Sequence, residues 1–122
     1  MGKTILETSI LKIGSSATDF LCENMLILFQ ENAPAALAEF CYLIDERIGS
    51  YDVRVGDTIS FGDTSYAITA IGSVALENFQ QLGHLTLRFD GAAAAAQPGI
   101  MHVAPQQPPA LCVGTKISIS RA

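Results

Sequence analysis

Residues 71–91 read IGSVALENFQQLGHLTLRFDG, and two periodicities in this stretch are the strongest structural signal in the chain. The spacing of apolar residues from Ala75 to Leu82 predicts a short amphipathic helix that ends at Gly83. The alternation of apolar and polar residues from Leu85 to Phe89 predicts a half-buried strand. Because the strand follows the helix directly, His84 is expected at the joint between the two elements.

Short apolar or alternating runs predict further strands in the rest of the chain, separated by turn residues. These strands are Thr4–Ile13, Met25–Phe29, Phe40–Ile44, Thr58–Phe61, Thr64–Ile71, Ile100–Val103 and Lys116–Ser120. Two more short helices are predicted over Ser16–Asn24 and Pro34–Glu39, and a polar loop over Asp45–Tyr51. The pattern predicts an all-β fold with short helices, a small, partly open antiparallel β-barrel of about seven strands. With 122 residues, the chain is predicted to form a single domain, residues 1–122.

The composition limits the partners and the compartment. A net charge of −5 at pH 7 argues against nucleic acid and anionic membrane surfaces, which require clustered Lys and Arg. The longest apolar run, Met25–Phe29, is too short to cross a bilayer, so direct membrane insertion is not predicted. Three cysteines, Cys22, Cys41 and Cys112, without a CxxC motif predict reduced and mostly buried thiols in a cytoplasmic protein.

The two histidines are the candidate catalytic residues. His84 follows Gly83 at a helix C-terminus, where the helix dipole favours a protonated ring. That charge suits phosphate binding, while the alternative for His84 is a structural role in capping the helix. His102 has apolar neighbours in a predicted strand, which is more typical of a half-buried structural residue. Both border the predicted loop 91–99, so their rings could converge on one phosphoryl group.

No other catalytic or ligand-binding pattern stands out. The two histidines are widely separated and lack metal-ligand spacing, so no metal site is predicted, and no cofactor is predicted either. The charged run Asp45-Glu46-Arg47 follows a predicted strand end, and a solvated loop is the simpler interpretation of it.

Nearly the whole chain resembles the sorbitol (glucitol)-specific enzyme IIA of the bacterial sugar phosphotransferase system. The motifs that carry this resemblance are Ile13–Ala17, Met25–Phe29, Asn32–Pro34, Phe40–Tyr42, Ala70–Ala75, Leu82–Gly91, Pro98–Gly99 and His102–Val103. The resemblance implies a small, partly open β-barrel in the cytoplasm. It also implies that the partners are the small phosphocarrier protein HPr and a IIB/IIC sugar permease.

In that family, a histidine accepts a phosphoryl group from HPr and passes it to a cysteine of the IIB component. The acceptor follows an aromatic–Cys–aromatic step, which is Phe40-Cys41-Tyr42 here, so the resemblance puts Ile44 at the acceptor position. Isoleucine has no nucleophilic atom and cannot accept a phosphoryl group. His84 and His102 match supporting positions of the family and are therefore the remaining candidates for the catalytic residue.

Three functions are compatible with these residues. The chain could be a phosphocarrier that uses His84 or His102 and thus acts as a phosphotransferase. It could instead be a phosphorylation-incompetent relative that binds and regulates phosphotransferase-system proteins. In the third interpretation, it is a β-barrel binding module whose ligand has no connection with sugar transport. Uncovered edges of the barrel could in addition pair in a homodimer.

Overall fold

The computed structural model describes residues 2–122. Its strands are β1 (Lys3–Ile13), β2 (Met25–Gln30), β3 (Tyr42–Ile44), β4 (Ile48–Gly49), β5 (Thr58–Phe61), β6 (Thr64–Ile71), β7 (Leu85–Arg88), β8 (Ile100–Val103) and β9 (Lys116–Arg121). The helices are a 3-10 helix (Ala17–Glu23), α1 (Ala35–Ala38) and α2 (Ala75–Leu82). None of the helices within residues 2–122 is long and apolar enough to cross a membrane.

The strands form one sheet that closes on itself. Eight of them form a ring in the order β3-β2-β7-β8-β6-β5-β9-β1, which closes because β1 also pairs with β3. The short β4 pairs with β1 outside this ring. The all-β fold with short helices is confirmed, although the ring is not evenly barrel-shaped.

Two pairings differ from the antiparallel arrangement expected from the sequence. β2 pairs with β3 in parallel, and β7 pairs with β8 in parallel. Each pair is joined by a long connection, residues 31–41 or residues 89–99, and such a connection lets the chain return to the end at which the first strand began. The turn signals in the sequence marked where strands stop but did not indicate the direction of the next one.

Several element boundaries were predicted from the sequence and are confirmed, including α2 and the strands β5, β6 and β8. The strand predicted to begin at Phe40 begins at Tyr42 instead, because the amide of Cys41 donates to the carbonyl of Ala38 in a turn. The segment predicted as a loop after Ile44 contains β4. Tertiary pairing explains β4, since its two residues pair with Leu6 and Glu7 of the long strand β1.

The apolar side chains separate into an inner core and a smaller outer cluster. The inner core fills the ring and includes Tyr42 and Ile44 from β3, both 1% exposed. The outer cluster consists of Phe29, Cys41 and Leu43, on the opposite face of β2 and β3. The prediction of mostly buried thiols is wrong, because Cys41 is buried but Cys22 and Cys112 are exposed in segments outside the regular strands.

An ion pair between a buried aspartate and a partly exposed arginine joins the last strand to the loop before β5. Asp57 is 3% exposed, and its two carboxylate oxygens accept hydrogen bonds from Nε and Nη2 of Arg121, both at 2.9 Å. The backbone amide of Arg54 donates to the same carboxylate at 2.8 Å. The hydrogen bonds from Arg121 lower the pKa of Asp57 below its ordinary value, although desolvation by burial opposes them.

We expect the Asp57 pair to make the stability of the fold depend on pH in the acid range. Because the pKa of Asp57 is lower in the folded chain than in the unfolded chain, its contribution is present above the ordinary aspartate pKa of about 4 and is lost as the pH falls through the folded value. The free energy of unfolding should therefore fall less steeply with acidification in Asp57→Asn than in the unsubstituted chain. Denaturant titrations at a series of pH values measure this difference.

Asp63→Asn is the matched control for this prediction, because Asp63 is an exposed aspartate in the turn between β5 and β6. The control should follow the pH profile of the unsubstituted chain. If Asp57→Asn also reproduced that profile, the ion pair would not be the source of the acid sensitivity.

Candidate functional site

A wide cavity opens where β2 and β3 end. We call it the mouth cleft; it has a volume of about 810 Å³ and is lined by Lys12, Gln30, Ile44, Asp45, Arg47 and Tyr51, among others. Gln30 and Ile44 are neighbours in the register of the parallel β2–β3 pair, which brings the two strand ends together at this point. Ile44 presents only hydrocarbon to the cleft and is 1% exposed, since its side chain also belongs to the inner core.

Arg47 is fixed on the wall of the mouth cleft. Its Nε donates to the hydroxyl of Tyr51 at 3.3 Å, and its Nη2 donates to the carbonyl of Gln80 at 3.2 Å. Its guanidinium carbon lies 5.9 Å from the centre of the Phe79 ring, which is within range of a cation–π contact. The sequence predicted a solvated loop at positions 45–47, but Arg47 is held against the wall of the mouth cleft. The sequence could not show this contact, because Gln80 is far from Arg47 along the chain.

The mouth cleft can bind polar or anionic groups, but it holds no histidine. Lys12 and Arg47 supply positive charge, and the amides of Gln30, Asn32 and Gln80 supply hydrogen-bond donors. Asp45 and Glu46 contribute negative charge, and one carboxylate oxygen of Asp45 accepts a hydrogen bond from the amide of Glu46 at 2.8 Å. The cleft thus has the groups that surround a phosphoryl group without the ring nitrogen that would carry it.

His84 lies in a different cavity, on the outer face of the sheet. We call this cavity the outer groove; it has a volume of about 200 Å³ and is lined by Phe20, Ile27, Phe29, Leu37, Phe40, Cys41 and His84. The imidazole of His84 stacks on Phe29 with ring centres 5.0 Å apart. The side-chain hydrogen bonds found within residues 2–122 include none to the His84 ring, which is half-buried.

Burial lowers the pKa of His84, which is opposite to the shift that the helix dipole alone predicted. The ring is half-buried in an apolar groove, and this partial desolvation penalises the protonated form more than the end of a short helix favours it. The capping role falls to the backbone instead: Gly83 adopts a left-handed conformation with φ of 65°, and the amide of His84 donates to the carbonyl of Asn78. A neutral imidazole with unoccupied nitrogens is the form that can attack phosphorus.

His102 is sealed inside the protein and uses both ring nitrogens. It is 0% exposed; its Nδ1 lies 2.8 Å from Oδ1 of Asp90, and its Nε2 accepts a hydrogen bond from the amide of Ala96 at 3.1 Å. Because Nε2 accepts, the proton resides on Nδ1 and is donated to Asp90. His102 thereby holds the alanine-rich loop against β8, and neither nitrogen is free for transfer.

Asp90 is the anionic partner of this buried ring. Partial burial raises the pKa of Asp90, but hydrogen bonds from His102 and from the amide of Ala92, together with the nearby charge of Arg88, outweigh that effect. The pKa of Asp90 therefore lies below its usual value, and the carboxylate stays charged opposite His102 at neutral pH.

The structure keeps the two histidines apart. His84 directly precedes β7, whereas His102 lies opposite Arg88 at the other end of that strand. Four residues of extended chain separate these positions, which corresponds to about 13 Å along the strand. The two rings therefore do not converge on one phosphoryl group, and neither lines the mouth cleft beside Ile44.

A closed eight-stranded ring with a polar cleft at one strand end defines a small all-β protein. Residues 5–118 match the family of the PTS system glucitol/sorbitol-specific IIA component. The chain belongs to this family, which is part of the bacterial sugar phosphotransferase system (PTS). That membership argues against the third interpretation, a binding module unrelated to sugar transport.

Individual relatives agree with the family. The chain is 44% identical over 111 residues to the PTS system glucitol/sorbitol-specific EIIA component of Shigella flexneri, which covers 91% of this chain and 90% of the relative. It is 43% identical to the protein of the same description from Escherichia coli (strain K12), with the same coverage. The crystal structure of a PTS system IIA component from Enterococcus faecalis V583 matches with a TM-score of 0.78 and 32% identity, covering 91% of this chain and 96% of that one.

Proposed function

We propose that this protein is the IIA phosphocarrier of a sorbitol/glucitol-like phosphotransferase system, a cytoplasmic single domain that relays a phosphoryl group from HPr towards a IIB/IIC permease. Family membership and the names of its relatives support the assignment to the system. The relay itself requires a nucleophile that can reach a docked partner. Because Ile44 has no nucleophilic atom, the proposal depends on which other side chain can accept the phosphoryl group.

His84 is the acceptor that we propose. The observation that carries this assignment is that its half-buried ring lines the outer groove with both nitrogens unpaired within residues 2–122. Burial also lowers the pKa of His84, which favours the neutral ring. In the transfer step, a ring nitrogen attacks the phosphorus of phosphorylated HPr, and the new N–P bond forms as the bond to the donor breaks. The phosphoryl group later leaves the ring for a cysteine of the IIB component. His102 cannot take this role while both its nitrogens remain hydrogen-bonded.

A second function is favoured by one specific observation, the burial of Ile44, the residue that the family resemblance assigns to the acceptor position. Ile44 is 1% exposed and removes the nucleophile from the mouth cleft while Lys12 and Arg47 remain there. A protein built in this way can still bind HPr or a IIB-like protein without receiving a phosphoryl group. It would then act as a regulatory binding component of the same system.

Pairing of two copies belongs to the same proposal, and we place it at β4. Within residues 2–122, β4 is the strand that lies outside the closed ring, and its only strand partner is β1. Ile48 in β4 is 65% exposed, so an apolar side chain stands at this free edge. A second copy could add its own β4 there by main-chain hydrogen bonds.

Incubation with phosphoenolpyruvate, enzyme I and HPr, followed by intact-mass measurement, separates the two functions. The relay predicts the added mass of one phosphoryl group that is lost in acid and stable in base, the behaviour of phosphohistidine. His84→Ala should abolish this label, whereas His102→Ala should retain it in the folded fraction. No added mass on the unsubstituted chain would refute the relay. HPr binding that persists in both variants would then support the regulatory function.

A further inference from the structure

The outer groove lies on a face of the sheet that only two short helices cover. On this face, β2 and β3 present Ile27, Phe29 and Leu43 outward, and the 3-10 helix and α1 are the elements that lie over them. Helix α1 has no buried residue. Its Leu37 is 50% exposed, and Phe40 just after it is 38% exposed. Together with Phe20, these side chains surround a concave apolar surface that is open to a partner.

The charged residues in the segment that forms most of the groove are all negative. Between Lys12 and Arg47 the sequence contains no lysine or arginine, and its six charged residues are all acidic: Asp19, Glu23, Glu31, Glu39, Asp45 and Glu46. Three of them adjoin groove elements directly. Asp19 precedes Phe20, Glu23 ends the same 3-10 helix, and Glu39 precedes Phe40; all three are exposed.

Three cations lie near this face of the sheet but do not line the groove. Lys12 lies opposite Leu43 in the β1–β3 register, and a guanidinium nitrogen of Arg47 lies close to Gly83; both side chains line the mouth cleft instead. Arg88 lies opposite Met25, at the end of β7 away from His84. It acts on Asp90, whose pKa it helps to lower, and it does not line the groove. The groove is therefore apolar at its centre and negative around its rim.

We propose that the outer groove is a docking surface for a protein face that presents one or two large apolar side chains surrounded by lysines and arginines. The apolar side chains would fill the space between Leu37, Phe40 and His84, and the basic residues would face the acidic rim. Burial of aliphatic and aromatic surface supplies most of the affinity in such contacts, and opposite charge on the rims supplies orientation and rate. A purely polar partner would lose the first contribution, and an anionic partner would lose the second.

This docking surface contains His84, so its connection with phosphoryl transfer rests on the proposed function. A partner seated in the groove would cover the His84 ring and exclude water from it. The docking itself requires no transfer, because it depends on the apolar centre and the acidic rim. Binding and labelling can therefore be measured separately, and one can fail without the other.

The test uses two synthetic helical peptides of equal length, one built of leucine and lysine and the other of leucine and glutamate. We expect the lysine peptide to bind the full chain and to shift the NMR signals of groove residues, with an affinity that falls as salt rises. The glutamate peptide should bind more weakly, because it keeps the apolar contacts but its charge has the same sign as the acidic rim. HPr, added as a third probe, should shift the same signals if it is the partner.

Matched variants locate the surface. Leu37→Ser and Phe40→Ser should each weaken binding of the lysine peptide by about tenfold, as expected for central apolar contacts. Val113→Ser, at a side chain that is 63% exposed outside the groove, should leave it unchanged. Glu39→Gln should weaken binding by about threefold, as expected for a rim charge, while Asp63→Asn should not.

The outcomes separate the two proposals. Equal binding of both peptides, or equal losses in the groove variants and the Val113 control, would overturn the docking surface whatever the labelling experiment shows. Specific peptide binding without any phosphoryl label would leave the docking surface in place and refute the relay. HPr shifts that map away from the groove would refute the relay through His84, because the phosphoryl donor would then dock away from that ring.

Discussion

Ile44→His is expected to convert the mouth cleft into a phosphoryl-accepting site. The substitution puts a ring nitrogen at the position that the family resemblance assigns to the acceptor. Lys12 and Arg47 are already in the cleft to interact with the phosphoryl oxygens, and Gln30 is the register neighbour of the new side chain. Because isoleucine offers no nucleophile at all, the change at this position should be from no label to full label.

The substitution should also reduce stability. Ile44 is 1% exposed and packs in the inner core, so replacing it by a polar ring should lower the free energy of unfolding by about 2 kcal/mol. The ring can relieve part of this cost by turning its polar edge towards the cleft, which is where a phosphoryl group would meet it. Labelling should therefore be measured at a temperature at which circular dichroism shows the variant to be folded.

A His84→Ala background makes this result unambiguous. In that background the only ring with a free nitrogen is the new one, so an acid-labile, base-stable mass increase reports on position 44 alone. Ile44→Gln in the same background is the matched control, because it adds similar polarity without a nucleophilic ring. A folded Ile44→His chain that remains unlabelled would show that the groups around position 44 no longer support transfer.

His102→Ala is expected to cause the largest loss of stability among single histidine substitutions. The ring is 0% exposed and hydrogen-bonds to Asp90 and to the amide of Ala96, so its removal creates a cavity and breaks both hydrogen bonds. We expect a decrease of about 3 kcal/mol in the free energy of unfolding. Urea titration followed by fluorescence or circular dichroism measures it.

His84→Ala is the comparison for this second prediction. His84 is half-buried at the groove surface and its ring makes no hydrogen bond within residues 2–122, so its removal should cost only about 1 kcal/mol. We therefore expect His102→Ala to affect mainly the free energy of unfolding and His84→Ala to affect mainly phosphoryl labelling. Equal losses of stability in the two variants would contradict the structural role assigned to His102.

The local pattern of the sequence was sufficient for most of the secondary structure. The periodicity from Ala75 to Leu82 and the glycine that follows it predicted helix α2 with its correct ends. Strand β4 could not be predicted in this way, because its two residues are extended only through their pairing with β1. The two parallel pairings escaped prediction for a similar reason, since the direction of a strand depends on where the preceding connection crosses the sheet.

The candidate site was predicted in part. The family resemblance around Phe40-Cys41-Tyr42 assigned Ile44 to the acceptor position, and in the structure Ile44 lines the mouth cleft. The roles of Arg47 and of the outer groove could not be read from the sequence. Arg47 bonds to Gln80, which lies 33 positions away in the chain, and the groove combines side chains from four separate segments.

The sequence by itself determined the family, the all-β fold, most element boundaries and the absence of a histidine at position 44, because these depend on local periodicity and residue identity. Only the tertiary structure decided what each remaining histidine can do. Burial beside Phe29 keeps the His84 ring neutral, and enclosure between Asp90 and Ala96 occupies both nitrogens of His102. Protonation and access depend on surrounding groups that are distant in the chain, and folding alone brings those groups together.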